Sequence, residues 1–208
     1  MTLHLRAAGV FTAALVLLSV AGLRDGLERW VSTAPLPPLG VDVGTEVLAR
    51  DGTILRAFPV ADGRWRLAPG PVDPAYLTAL VAYEDGRFYH HSGVDPIAVL
   101  RAGAQMLWKG HVVSGASTLT MQVARLLEEG STGRLDGKLR QARLALALER
   151  HLSKAQLLDL YLRLAPFGGN VEGVRAASLA WFGKEPRRLS PAEAALLIAL
   201  PQSPETRR

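Results

Sequence analysis

The stretch AYEDGRFYHH (Ala82–His91) sets two adjacent carboxylates, Glu84 and Asp85, at the end of an apolar run, with an aromatic pair and a histidine pair close behind. A carboxylate at the C-terminal end of a helix faces the negative pole of the helix dipole. With apolar neighbours as well, such a group is suited to accept a proton. Gly86 permits a turn after the pair, and Phe88 and Tyr89 can wall a site. A plainer reading fits the same residues: acidic side chains that end a helix in solvent. His90 and His91 raise the question of a metal centre. Adjacent side chains of one loop rarely converge on one ion, and neither HExxH nor a second His cluster accompanies them. A histidine that fixes the loop by hydrogen bonding is the better reading, and no metal ligand is assigned.

SGASTLTMQVARLL (Ser114–Leu127) is the second constellation. On a helix, Thr118, Gln122 and Arg125 fall at i, i+4 and i+7 and form one polar stripe beside an apolar face of Leu119, Val123, Leu126 and Leu127. Hydroxyl, amide and guanidinium in a row suit an oxygen-rich anion, because arginine binds phosphate in a bidentate fork. An ordinary amphipathic helix with a solvated polar edge fits equally. Arg134, Lys138 and Arg140 add a third, basic group. Alone, such clusters are usually solvated faces.

The elements that must position these residues are legible from their ends. Asp73-Pro74 and Asp95-Pro96 each supply an N-cap followed by proline at the first helical position, predicting helices over 74–84 and 96–109, the second stopped by Gly110. SKAQ (Ser153–Gln156) and SPAE (Ser190–Glu193) have the capping-box form. The helix after Ser190 is apolar on most sides and is expected in the core. The helix over 96–109 is also read as core, or else, with Trp108 and Lys109 at one end, as dipping into a bilayer interface. TEVLARDGTILRAF carries two strand-like runs around Asp51-Gly52, a hairpin. Beyond it the chain reads as helical nearly to its end.

Composition sets the outer limits. At 208 residues with 49% hydrophobic residues the chain can build one domain with a sizeable core. The balance of 24 Lys+Arg against 19 Asp+Glu suggests an anionic partner. Its basic residues are scattered among apolar helices, so a nucleic-acid partner is disfavoured. Cysteine is absent, which excludes disulfides, Cys-ligated metals and thiol nucleophiles. Residues 1–6 are short and basic and read as cytoplasmic. The uncharged run Ala7–Leu23 reads as a transmembrane anchor at the lower limit for ~30 Å of hydrocarbon, with a cleaved signal peptide as the rival. Residues 24–42 read as a linker, Pro-rich over Ser32–Gly40, and 43–208 as one exported, mainly α domain.

In order, EDGRFYHHSGVD, GASTLTMQVARLL, GKLRQARLALALERHLSKAQLLDLYLRLAPFGGNVEGV, AASLAWFGK and LSPAEAALLIALPQSP resemble the peptidoglycan glycosyltransferase domain of class A penicillin-binding proteins. The resemblance spans about Val43 to Ser203. STLTMQVAR and APFGGN are most like the penicillin-binding protein 1C branch. It implies a mainly α, lysozyme-like glycosyltransferase fold with a small N-terminal β-hairpin, an N-terminal transmembrane helix and a jaw that dips into the membrane. The implied reaction polymerises lipid II, an undecaprenyl-pyrophosphate disaccharide-pentapeptide, into glycan strands. The implied partners are lipid II, the growing strand, the membrane and other cell-wall synthesis proteins. By resemblance Glu84 is the general base on the acceptor 4-hydroxyl and Asp85 supports it. Thr118, Gln122 and Arg125 line the donor site, Arg101 lies near the donor pyrophosphate, and Phe88 and His91 shape the first motif. Arg134, Lys138 and Gln141 complete the substrate-binding set.

Three positions depart from the family pattern. Gln141 stands where many members have a glutamate, Arg125 where many have lysine, and YLR, ending at Arg163, where YLN is common. Gln141 cannot act as an acid or ligate a metal as a carboxylate, which bears on the Mg2+ or Mn2+ such enzymes can use. Elementary chemistry weighs that loss. A glycosidase needs a second carboxyl group to protonate a poor alkoxide leaving group, whereas a pyrophosphate leaves as a stabilised anion and needs mainly cations beside it. One base with Arg101, Arg125 and Lys138 therefore suits a transferase better than a lytic, lysozyme-like hydrolase. An inactive, tethered lipid II-binding module is the other alternative. No S-x-x-K, S-D-N or K-T-G motif occurs, so no transpeptidase serine machinery is expected in this chain.

Overall fold

The computed structural model describes residues 2–110, 115–128 and 135–202, with side chains from residue 15 onward. The described residues hold eight α-helices and four short strands, with two short 3-10 helices. The α-helices and strands are α1 (Thr2–Ser32), β1 (Glu46–Leu48), β2 (Ile54–Ala57), β3 (Trp65–Arg66), α2 (Pro74–Glu84), α3 (Pro96–Lys109), α4 (Leu119–Leu127), α5 (Leu135–His151), α6 (Lys154–Leu164), β4 (Val171–Glu172), α7 (Val174–Phe182) and α8 (Pro191–Ala199).

Helix ends follow the capping chemistry read from the sequence. Asp73 and Asp95 accept from the backbone N–H of Ala75 and Ile97 at 2.8 and 2.9 Å, and Gly110 closes α3 in the left-handed region. Ser153 and Ser190 form complete capping boxes with Gln156 and Glu193. α4 packs on α5 and α6, and α2 packs on α8. Their shared core holds Leu80, Phe88, Val123, Leu148, Leu157 and Leu197, all fully buried. Each such side chain contributes on the order of 2 kcal/mol by leaving water.

The hairpin forms as expected: β1 and β2 pair antiparallel, Gly52 takes a positive φ, and a register irregularity lies between Val47 and Leu48. A second two-stranded sheet was not anticipated. β3 and β4 run parallel, so the stretch after the hairpin is not helical throughout. Arg66 locks this pairing by gripping Glu172 through Nε and Nη2 at 3.1 and 2.5 Å. A contact across 106 residues leaves no local trace in the sequence.

Four other expectations change. Residues 24–32, assigned to a linker, continue α1, because its last turns dock on α5. Val31 is buried, and Arg143 donates to the Trp30 carbonyl at 2.7 Å while lying 5.6 Å from its ring centre. The apolar run 7–23 lies within α1, yet among the described residues no helix is long and apolar enough to cross a membrane. α3 is not a core helix. It buries none of its residues, and Leu107 and Trp108 are 90% and 91% exposed. α8 is only partly a core helix: Leu197 and Ile198 are buried while Leu196 remains exposed.

Candidate active site

α2 ends at Glu84, and the chain turns at once, so adjacent residues point to different places. Glu84 is half-buried in the wall of an open cleft that is also lined by Ser117, Met121, Gln122, Arg125, Lys138, Gln141, Pro201 and Gln202. Its Oε2 accepts from Gln122 Nε2 at 2.8 Å and its Oε1 from Gln202 Nε2 at 3.0 Å. Asp85 faces inward. His91 Nε2 lies 3.0 Å from each of its carboxylate oxygens, and Oδ2 also accepts from the Leu119 backbone N–H at 3.0 Å. Asp85 therefore joins three segments: the end of α2, the loop bearing His91 and the start of α4. It touches no cleft residue through these bonds. His91 fixes the loop, as the sequence suggested.

Phe88 belongs to the core rather than the cleft wall. Its ring is fully buried, edge-on to Tyr89 at 5.1 Å, with Lys154 Nζ 4.4 Å from its centre. Tyr89 is exposed. Thr118 is the N-cap of α4 and lies outside the helical stripe. Its hydroxyl donates to the Gly93 carbonyl and accepts from the Met121 N–H at 3.1 Å, and the residue is buried. The stripe thus reduces to Gln122 and Arg125, and Ser117 occupies the cleft instead. Arg101 is exposed on α3 and is not among the residues lining the cleft. Arg134 lies outside the described residues. Arg140, from the same basic group, donates to Glu128 at 3.0 Å.

The cleft is cationic around its single carboxylate. Lys138 donates to Ser117 Oγ at 2.8 Å. Burial, and then the positive charge of Arg125, hold the Lys138 ammonium below the usual lysine range. Glu84's charge also reaches two tyrosines, Tyr76 and Tyr161, both buried with hydroxyls that have no partner among the described residues. Burial pushes both phenols upward. Their mutual interaction and Glu84 push Tyr76 further, while at Tyr161 Glu84 raises and Arg125 lowers. Gln141 is buried and faces the cleft from α5, one turn beyond Lys138. Among the described residues no cluster of three or more His, Asp or Glu could hold a metal ion. A donor set of one carboxylate with Arg125 and Lys138 does not fit Mg2+ or Mn2+.

Ser117, Met121, Pro201 and Gln202 were not foreseen as cleft residues. Ser117 neighbours Thr118 and was within reach of the motif. Gln202 had no signal, because the bond to Glu84 spans 118 residues.

Residues 52–208 match the model of the family described as Transglycosylase. The chain belongs to the transglycosylase family. This transglycosylase domain is similar to penicillin-binding protein 1C of Escherichia coli (strain K12), 51% identical over 176 residues, which is 84% of this chain and 23% of that protein. It is also similar to penicillin-binding protein 1A of the same organism, 33% identical over 202 residues, 93% of this chain and 23% of that protein. With penicillin-binding protein 1A of Aquifex aeolicus (strain VF5) it shares 41% identity over 128 residues, 62% of this chain and 18% of that protein. The chain spans less than a quarter of the length of these curated relatives. The likeness to a 1C-type protein that STLTMQVAR and APFGGN suggested is present.

Proposed function

We propose that this transglycosylase domain polymerises lipid II into glycan strands with release of undecaprenyl pyrophosphate. The observation that carries the reading is the composition of the cleft: one carboxylate, Glu84, shares it with two cations, Arg125 and Lys138, and a neutral Gln141. Glu84 takes the proton of the acceptor's 4-hydroxyl as that oxygen attacks the donor's anomeric carbon. The bond from that carbon to the pyrophosphate oxygen breaks, and the electron pair leaves with the diphosphate. Arg125 and Lys138 stabilise the charge that collects there, so no acid is required to protonate the leaving group. A glycosidase would need a second carboxyl group in the cleft, and Gln141 supplies none.

The substrate's polyprenyl tail calls for a membrane surface. α3 supports one, since Leu100, Met106, Leu107 and Trp108 lie exposed on a helix whose C-terminal end also bears Lys109. In this reading the cleft opens on the outer face of that membrane.

The test is polymerisation of purified lipid II by the protein in vesicles, read as glycan strands on a gel. Strands from wild type and none from Glu84→Gln, with vesicle binding unchanged, are expected. Release of soluble muropeptides from preformed glycan would establish a lytic enzyme instead. Binding of lipid II without polymer would establish a binding module.

A further inference from the structure

We propose that Gln202 is a positioning residue for Glu84, an inference that rests on the reading of Glu84 as the proton acceptor. Each oxygen of the Glu84 carboxylate is held by a different amide: Oε2 by Gln122 from α4 at 2.8 Å, and Oε1 by Gln202 at 3.0 Å. Gln202 comes from the far end of the chain's described part, where α8 runs into a 3-10 turn, Leu200–Gln202. Leu200 and Pro201 are buried, and α8 packs on α2, the helix that Glu84 terminates. The backbone before Gln202 is thus fixed by the core, and only the amide reaches into the cleft.

The residue type matters as much as the place. An ammonium or guanidinium against Oε1 would hold Glu84 ionised and oppose proton uptake. An apolar side chain would leave that oxygen to water and free the carboxylate to rotate. A primary amide favours the ionised form less strongly than a cation would and still fixes the orientation of the carboxylate. It donates through Nε2 to the carboxylate, and after proton transfer a half-turn of its terminal bond lets Oε1 accept from the new carboxyl O–H. The pair Gln122 and Gln202 can therefore hold the base at one orientation before and after it takes the proton. In this chain Arg125 and Lys138 already supply the positive charge, so a neutral clamp keeps Glu84 from forming a simple ion pair on its other side.

The decisive experiment is the pH dependence of kcat/KM for lipid II polymerisation in vesicles, measured for Gln202→Ala, Gln202→Glu and Gln202→Lys beside wild type and Glu84→Gln. Gln202 is exposed, so thermal melts are expected to agree within a few degrees. Gln202→Ala is expected to lower kcat about three- to tenfold with KM within twofold, and to shift the acidic limb to higher pH, because a donor to the carboxylate is lost. Gln202→Glu is expected to move that limb further up, and Gln202→Lys to move it down. A role confined to holding the turn together would not make the two charged variants move in opposite directions. Coinciding limbs across the series, with Glu84→Gln inactive, would overturn the assignment of Gln202 and leave Glu84 as base. Activity surviving in Glu84→Gln would overturn both.

Discussion

His91 Nε2 stands 3.0 Å from both carboxylate oxygens of Asp85, six residues earlier in the chain, and the pair is buried. Because Asp85 Oδ2 also takes the first N–H of α4, from Leu119, the pair ties the helix that ends in Glu84 to the helix that carries Gln122 and Arg125. Removing either side chain leaves a buried polar group unmatched. His91→Ala and Asp85→Ala are each expected to destabilise the domain by about 2–3 kcal/mol, seen as a fall in Tm of roughly 5–10 °C. The double variant should lose less than the sum of the two. Additive losses in a melt would show that the two side chains do not act as a pair.

Arg125 and Arg101 were alike on the page of the sequence, yet only Arg125 lines the cleft. Arg125→Ala is expected to reduce kcat/KM for lipid II about a hundredfold, the scale of losing one charge-stabilising group. Arg125→Lys keeps the charge but loses the fork, and should fall by less than about tenfold. Arg101→Ala is expected to stay within about threefold. Steady-state assays on the three variants rank them directly, and equal losses at the two arginines would place the departing diphosphate nearer α3.

What the sequence disclosed, and what it withheld, follows the range of the interactions. The ends of α2, α3, α6 and α8 were readable because a cap is made by residues two or three apart, as Asp73 to Ala75 and Ser153 to Gln156. The place of Glu84 at the end of α2 was readable from its neighbours. Thr118 was misplaced by periodicity, since i, i+4, i+7 spacing counts a cap as helix; the run of small and hydroxyl residues before Leu119 was the better signal. Phe88 and the fate of Asp85 depend on Lys154, His91 and Leu119, which no local pattern brings together. The β3–β4 pairing and Gln202's bond to Glu84 join residues more than a hundred positions apart, beyond any window.

With Lys138 as a diphosphate-binding cation, the proposed reaction is expected to have an alkaline limit. Burial first and Arg125 second hold its ammonium below the ordinary lysine value of 10.5. If the charged form binds the diphosphate as proposed, this contribution is complete at low pH and is lost as pH rises through the lowered pKa. The basic limb of kcat/KM is therefore expected below the range of a free lysine. Lys138→Arg should remove that limb from the accessible range, while Arg125→Ala, which relieves one of the two causes, should shift it upward at reduced rate. A limb that ignores both substitutions would belong to another group.

Gln141→Glu would put a second carboxylate into the cleft that holds Glu84. In the wild type, where the cleft carries one carboxylate and two cations, polymerisation is expected to change by less than about threefold between EDTA and millimolar Mg2+ or Mn2+. In the variant the paired carboxylates provide the oxygen ligands a hard cation prefers. The rate should become metal-dependent, with only a small change when metal is withheld. A large gain in the variant without metal would mean instead that the native cleft lacks a group its chemistry needs.

Gly93 tests whether the loop between His91 and α3 sets the width of the cleft. Its φ is +90°, and a Cβ there would stand 2.6 Å from the Ala145 carbonyl oxygen and 2.7 Å from its carbon. Its own carbonyl accepts from the buried Thr118 hydroxyl that caps α4. Gly93→Ala therefore meets rigid backbone of α5 in a conformation that side chains disfavour, and should cost about 2–4 kcal/mol. Relief comes most directly by moving α5, which carries Lys138 and Gln141, away from the Gly93 loop. The expected result is a lower Tm together with a raised KM for lipid II in the protein that remains folded. Gly173, where a Cβ would meet the Arg163 carbonyl oxygen at 2.8 Å, provides the control. Gly173→Ala should lower Tm comparably, and because neither Gly173 nor Arg163 lines the cleft, KM should stay within twofold. A rise in KM for both variants would trace the effect to general loosening rather than to the position of α5.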